Sequence, residues 1–388
     1  MMRKRRIFVG DFLIGKEERK AIIEVMDAGI ISESKKTREF EKLWSGYIGT
    51  KYCVAVNSGT SALILGWNAL KIYKNIGSKR RKVITSPVTY IATSNSLVLS
   101  GFEPVYVDID PQKFVITPDN IENHLKSINN VDEYIAINPV HLMGYCADMN
   151  RINKIAEKYD LVVVEDSAQA HGSIYDGRKA GSMSLFSIFS FYIAHNIQAG
   201  ELGALNTNDE KIFYLAKKLK ANGRFCTCFV CVRKTGKCPK KDMSGNNDPR
   251  FLHDLIGYNF KTMEFQTALA VTQIKKVDEI CQKRKSNVKY LNEKLNKFSN
   301  ILQLPLFDEN VSYLAYPIVV KDEKIITREK LCEELEKYGI ETRPLFGCIP
   351  TQQPSFSHLK NLYRDKLPVA DYIGRNGFYI GCHQYLSK

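Results

Sequence analysis

Leu161-Val162-Val163-Val164-Glu165-Asp166-Ser167-Ala168-Gln169-Ala170-His171-Gly172 is the stretch on which the fold turns. Its first half is apolar, rich in β-branched residues and too short for a helix, so Leu161–Glu165 reads as a buried strand. The same pattern recurs upstream at Tyr52–Val56, Lys82–Ser86, Pro104–Asp108 and Tyr134–Pro139. Amphipathic stretches lie between them, at Ser61–Lys71, Tyr90–Leu99, Pro118–Ser127 and Asp148–Lys158. Strand and helix in alternation predict a mostly parallel sheet covered by helices, with the chemistry just beyond the strands' carboxyl ends.

Farther out the texture changes. Arg224 to Asp248 is rich in cysteine and basic residues without periodicity and reads as a loop. A long helical pattern follows from about Met263 to Leu295, then a strand at Tyr313–Val320 and a helix at Glu329–Tyr338. We therefore expect a large domain over residues 1–270, with a Cys-rich insertion at 224–256, and a smaller α+β domain over 271–388.

The composition excludes several classes. A chain of 388 residues that is 44% hydrophobic can bury a large core, which rules out a disordered or disulfide-stapled miniprotein. No apolar run approaches the roughly 18 residues of a membrane helix. The excess of 56 basic over 42 acidic residues gives a net charge of +14. Its clusters, Arg3–Arg6, Lys79–Lys82 and Arg233–Lys241, are scattered and lack interleaved aromatics, so they read as solvated faces rather than a nucleic-acid surface. The basic N-terminus lacks the apolar length of a signal peptide, and ten cysteines then suggest a reducing, cytoplasmic setting.

Three segments carry candidate chemistry. Asn57-Ser58-Gly59-Thr60-Ser61 follows the first strand and opens a helix, where free N–H groups suit a phosphate, although such residues also cap helices that bind nothing. Asp166 ends a buried strand, where a carboxylate needs a partner: a protonated pyridine nitrogen, or the donors of a helix cap. Phe189-Ser190-Phe191-Tyr192-Ile193-Ala194-His195 precedes Gly200-Glu201-Leu202-Gly203.

In this order and spacing, Ser-Gly-Thr, Pro87-Val88-Thr89-Tyr90-Ile91-Ala92-Thr93, Glu-Asp-Ser-Ala-Gln-Ala-His-Gly, Phe-Ser-Phe and Gly257-Tyr258-Asn259 resemble the DegT/DnrJ/EryC1/StrS family of fold type I pyridoxal phosphate enzymes. The likeness runs from about Phe8 to the C-terminus. It implies an α/β large domain with a mixed, mostly parallel seven-stranded sheet, and a smaller C-terminal domain. It also implies that Gly59, Thr60 and Ser190 hold the coenzyme phosphate, Tyr90 stacks on the ring, Asp166 meets the ring nitrogen and Gln169 lies near the ring hydroxyl. Asn259 would reach the phosphate in a neighbouring subunit, which makes a homodimer with shared sites.

One position departs from the family's aminotransferases, whose Schiff-base lysine falls where this chain has His195. Imidazole forms no stable tether with pyridoxal phosphate but is a competent general base near neutral pH. Histidine here resembles the nucleotide-sugar 3-dehydratase branch, as do Lys261-Thr262 and Thr342-Arg343-Pro344-Leu345-Phe346-Gly347. The resemblance implies removal of the C3 hydroxyl from a nucleotide-linked 4-keto-6-deoxyhexose, with pyridoxamine phosphate as the reacting form. An aminotransferase using another lysine and a non-catalytic homologue are the alternatives.

Cys226, Cys228, Cys231 and Cys238 place four thiols within thirteen residues. That density suits a 2Fe-2S cluster or a zinc ion. The branch that holds such a cluster has its first ligand where this chain has Ala168, and the spacing differs. A rearranged cluster, a structural zinc and plain reduced thiols therefore all stand. A cluster would call for a partner reductase; its absence would make glutamate the amino donor. The remaining cysteines sit in apolar contexts and are expected in the core.

Overall fold

The computed structural model describes residues 6–77, 79–228, 238 and 247–387. Nine short strands come first: β1 (Tyr52–Val56), β2 (Lys82–Thr85), β3 (Glu103–Tyr106), β4 (Tyr134–Asn138), β5 (Val162–Asp166), β6 (Ile174–Tyr175), β7 (Arg178–Lys179), β8 (Phe186–Ser190) and β9 (Gly203–Thr207). Apart from the β6–β7 hairpin they form one seven-stranded sheet in the order β1-β9-β8-β5-β4-β2-β3. Only β9 runs antiparallel to its neighbours. The expected fold type I α/β architecture is the one observed. Val54, Ala55 and Val56 have no exposed surface, which is why these strands read as unbroken apolar runs rather than alternating ones.

The sheet's helices begin on side-chain caps. Ser58, Thr117, Asp148 and Asp209 each accept a backbone N–H three residues on, fixing the starts of the helices at Gly59–Tyr73, Pro118–Ser127, Met149–Lys158 and Glu210–Leu219. Strand β5 runs one residue farther than expected. The Asp166 N–H donates to the Pro139 carbonyl and the Asp166 carbonyl accepts from His141, so the pairing continues past Glu165.

Two N-terminal helices, Lys16–Asp27 and Lys35–Ile48, were not foreseen. The start of the second is held by the buried Glu264 carboxylate, which accepts from the N–H groups of Ser34, Lys36 and Thr37 at 2.6, 2.6 and 2.9 Å. The expected long helix is two, Glu264–Ile274 and Val277–Leu295. At the join Thr272, Gln273 and Lys276 converge on Glu18 at 3.2, 3.2 and 3.1 Å, because a buried carboxylate demands donors.

A second, four-stranded sheet follows, with β10 (Leu302–Gln303), β11 (Tyr316–Val320), β12 (Arg343–Pro344) and β13 (Gly377–Ile380) in the order β10-β11-β13-β12, all antiparallel. The helices Arg328–Lys337 and Pro368–Asn376 accompany it. Within 224–256, most of the Cys-rich stretch, including Cys231, lies outside the described residues. No described helix is long and apolar enough to cross a membrane.

Candidate active site

All six parallel strands deliver their carboxyl ends to one edge of the sheet. Asn57–Thr60, Tyr90–Thr93, His141–Met143, Asp166–Gln169 and Ser190–His195 leave the sheet there. Chain connectivity thus gathers residues from five separate segments into one crevice.

The first part is a cradle of donors. Ser58 Oγ accepts from the Ser61 N–H at 3.1 Å, and the helix behind it runs for fifteen residues. The N–H groups of Gly59 and Thr60 stand at its start, where no intrahelical acceptor exists. Gly59 lies so close to Ser190 that an added Cβ would sit 2.6 Å from its Cβ and 3.1 Å from its Oγ. Gly203, facing Val56 and Ser190 across the sheet, leaves room only for hydrogen, since a Cβ there would enter the Ser58 carbonyl. Asn57 Oδ1 is buried beside this turn without a protein partner. Gly59 and Ser190 are therefore adjacent, with Thr60 next in the helix start, and such a turn has the shape and dipole to suit a phosphate.

Asp166 is the next part. It is 4% exposed; Oδ2 accepts from the Thr93 hydroxyl at 2.8 Å and Oδ1 from the Ala168 N–H at 3.3 Å. The Thr93 hydroxyl is also 3.0 Å from that of Thr89. Burial pushes the Asp166 carboxyl up, against the lowering pull of Thr93, the Ala168 N–H and His141. Its hydrogen-bond donors are neutral, so a cationic ring N–H would relieve the burial. Gln169 Oε1 accepts from the Met143 N–H at 2.9 Å, which turns its NH₂ end into the available donor.

Glu165, one residue earlier, belongs to the framework. It accepts from His141 Nε2 at 3.1 Å, from the N–H groups of Gly181 and Met183 at 2.7 and 2.8 Å, and from Ser184 Oγ at 2.8 Å. His141 Nδ1 accepts the Ala147 N–H at 3.2 Å, which puts the ring proton on Nε2, facing Glu165. Burial would raise the Glu165 carboxyl, but His141, Gly181 and Ser184 together hold it below its ordinary value.

His195 lies beyond β8. Its ring is 5.8 Å from that of His171, nearly parallel, and 6.3 Å from that of Tyr192. His195 Nδ1 is buried without a protein partner. Burial pushes the imidazole down to about 4; the Tyr192 backbone opposes this and the charge of Arg284 adds to it. The ring is neutral at pH 7, with a lone pair able to accept a proton. His171 is held well below its ordinary value by burial, by His195 and by Arg284.

The other expected residues fall at the rim. Tyr90 is 59% exposed, with its ring 6.1 Å from Phe346, which in turn lies 6.2 Å from Tyr379. Asn259 is exposed, and its neighbour Phe260 accepts the Asn57 N–H at 3.0 Å. Cys226, Cys228 and Cys238 do not gather: among the described residues no three Cys, His, Asp or Glu side chains form a metal-binding group. Of the cysteines expected in the core, Cys53, Cys281, Cys348 and Cys382 are buried, whereas Cys146 and Cys332 are only partly so.

Sequence reasoning passed over Thr93, His141 and Arg284. Thr93 stood inside the Pro87–Thr93 motif, but nothing local told that its hydroxyl would meet Asp166. Arg284 carried no signal, standing between Lys283 and Lys285 in a charged helix.

An α/β sheet of this order, with a glycine turn and a buried aspartate at one edge, has the architecture of the fold type I pyridoxal phosphate enzymes. The chain belongs to the DegT/DnrJ/EryC1/StrS aminotransferase family, whose model matches residues 13–388. It is 31% identical to GDP-perosamine synthase of Caulobacter vibrioides, over 99% of this chain and 95% of that protein. Among solved structures, Helicobacter pylori PseC, an aminotransferase involved in the biosynthesis of pseudoaminic acid, superposes with a TM-score of 0.86 at 26% identity, covering 99% of this chain and 95% of that one. The E. coli GDP-4-keto-6-deoxy-D-mannose-3-dehydratase with bound hydrated PLP gives 0.83 at 25%, covering 98% and 96%. The relatives thus include both aminotransferases and 3-dehydratases of nucleotide-sugar pathways.

Proposed function

We propose that this protein is a pyridoxal phosphate and pyridoxamine phosphate-dependent 3-dehydratase acting on a nucleotide-linked 4-keto-6-deoxyhexose. The carrying observation is His195: a neutral imidazole on the loop where the family's aminotransferases have a lysine, with no lysine within five residues on either side. Lys220, a buried lysine whose Nζ donates to the Ala55 carbonyl of β1 at 3.0 Å, offers no substitute. Its Nζ is 2.7 Å from Glu33 and 3.6 Å from Glu41; burial would lower it, but those carboxylates keep it charged.

The coenzyme fits the residues present, as the Gly59–Ser190 cradle and the cation-seeking Asp166 carboxyl indicate. When bound in its amine form it would supply condensation with the sugar C4 ketone and an electron sink. The chain's own residues do the rest. Gly59, Thr60 and Ser190 hold the phosphate, Tyr90 covers the ring face, Gln169 donates toward the ring hydroxyl and Asp166 keeps the ring nitrogen protonated. His195 receives and holds the proton whose departure precedes loss of the C3 hydroxyl. No amine stands at position 195 to hand that proton to the sugar C4, so elimination replaces amino transfer.

The proposed assembly is a homodimer in which Asn259 serves the partner's phosphate site, with residues 1–270 and 271–388 as the two domains. The coenzyme amine would be renewed from glutamate, or through a reductase if the Cys226–Cys238 segment holds iron-sulfur. The test incubates the protein with pyridoxal phosphate, glutamate and 4-keto-6-deoxy sugars carrying different nucleotides. Mass spectrometry should find a product that has lost the C3 oxygen; a product that keeps it and gains an amino group would establish an aminotransferase instead.

A further inference from the structure

A short strap of chain, residues 7–10, crosses from the second sheet to the loop that carries His195. Its near end is gripped beside β12 and β13. The Ile7 N–H donates to the Gly339 carbonyl and the Glu341 N–H to the Ile7 carbonyl, both at 2.8 Å, which makes a parallel bridge between Ile7 and Ile340. Two residues on, the Val9 N–H donates to Glu341 Oε2 at 2.8 Å, while Glu341 Oε1 accepts from Arg343 Nε at 2.9 Å. Gly381, just after β13, lies so close that a Cβ there would enter the Phe8 carbonyl. Val9 has no exposed surface.

The far end of the strap is Gly10, which meets the His195 loop main chain to main chain. A Cβ at Gly10 would lie 2.7 Å from both the Ala194 Cα and the Ile193 carbonyl oxygen. Backbone atoms cannot rotate aside as a side chain can, so the approach requires glycine. Three residue steps reach at most about 10 Å, and the grip on Ile7 therefore leaves Gly10 little slack.

The loop is held unevenly on the two sides of His195. After it, Asn196 Nδ2 donates to the Ser312 carbonyl at 3.2 Å, the Ile197 N–H to His171 Nδ1 at 3.2 Å and the Ala199 N–H to the Phe191 carbonyl at 2.9 Å. Before it, the His195 N–H donates to the Tyr192 carbonyl at 2.9 Å within the same turn, and among the described residues no hydrogen bond joins Ile193 or Ala194 to another segment. On that side the strap is the stop. Proton transfer is sensitive to placement, and a shift of about 1 Å can cost on the order of 10²-fold in rate.

We propose that Gly10 is a positioning residue for His195, and that the strap anchored on Glu341 sets where the imidazole stands. The inference rests on the reading of His195 as the base. The strap's contacts named above are with the second sheet and the loop, not with Gly59, Ser190 or Asp166, so it acts on the proton-transfer step rather than on coenzyme binding.

The experiment is a double-mutant cycle in the coenzyme-loaded full-length protein, scored as product formed per bound coenzyme. Gly10→Ala should lower kcat by about 10- to 100-fold, with coenzyme affinity and the KM for the sugar unchanged. In a His195→Ala background the same substitution should cost nothing further, because there is no ring left to misplace. Wild-type kcat in Gly10→Ala overturns the proposal, and so does an equal loss in both backgrounds, the mark of a general packing role. Should Gly10→Ala fail to fold, Glu341→Gln carries the same cycle, since it keeps an acceptor for the Val9 N–H but not the charge. It should lose about 3- to 10-fold in kcat, and only where His195 is present; no loss overturns the proposal. Labelling with ¹³C-histidine adds a reading independent of the reaction. The His195 ring signal, assigned with His195→Gln, should move in whichever of the two strap variants folds, and an unmoved signal overturns the proposal even if turnover falls. Normal turnover in His195→Ala would remove the base, while the ring signal would still decide whether the strap sets the loop.

Discussion

The two halves of the crevice solve the burial of polar groups in opposite ways. Around Asp166 and Glu165 the carboxylate oxygens have donors: Thr93 and Ala168 on one residue, His141, Gly181, Met183 and Ser184 on the other. Around His195 several buried polar atoms, His171 Nε2 and His195 Nδ1 among them, find no close hydrogen-bond partner. The first half is a rigid mount that holds charge in a fixed place. The second half holds a buried imidazole that burial above all keeps neutral, with its lone pair open to a proton.

The largest effect that would break this contrast lies at position 195. His195→Ala should lower turnover by about 10²- to 10⁴-fold, the usual worth of a general base. His195→Lys should divert the product from loss of oxygen toward gain of an amino group, read by the same mass spectrometry. If His195→Ala turns over normally, the second half has no catalytic role.

Asp166→Asn tests the mount. It keeps an acceptor for Thr93 but loses the charge for the ring nitrogen, and should cost about 10- to 100-fold in kcat/KM, as for a hydrogen bond to a charged group. Gly59→Ala should weaken coenzyme binding through the contact with Ser190, and cost about 1–3 kcal/mol of stability as overpacking. Equilibrium dialysis and denaturant midpoints read the two effects separately.

Acid sharpens the comparison further. Because the folded protein holds His195 and His171 below their ordinary values, the unfolded chain binds more protons in the interval beneath about 6.5. Stability should be full above that pH and fall as pH drops toward 4. His195→Asn should flatten part of that fall in urea midpoints compared at pH 7 and 5. A slope equal to that of wild type would show that the ring is not held neutral. Ser58→Ala is the smallest change, about 1 kcal/mol for a lost helix cap.

What the sequence made legible follows the same division. The strand ends and the motif residues Gly59, Thr60, Asp166, Gln169 and Ser190 could be read because each lies within a few residues of a strong local pattern. Ser190 and Gly59 face each other because two such patterns end on the same edge of the sheet. Arg284 could not be read, because its burial depends on contacts with Tyr313 and Leu314, about thirty residues away. The break at Lys275-Lys276 escaped for a similar reason: Glu18, more than 250 residues earlier, collects its donors there. Tyr90 and Asn259 were legible as motif residues, while their exposed side chains await what the crevice receives.

The account's central claim is that no side chain fastens the coenzyme. Protein saturated with pyridoxal phosphate, treated with borohydride, denatured and weighed by intact mass spectrometry should show the mass of the unmodified chain. A stable increase equal to one reduced pyridoxyl phosphate, mapped to a lysine, would contradict it.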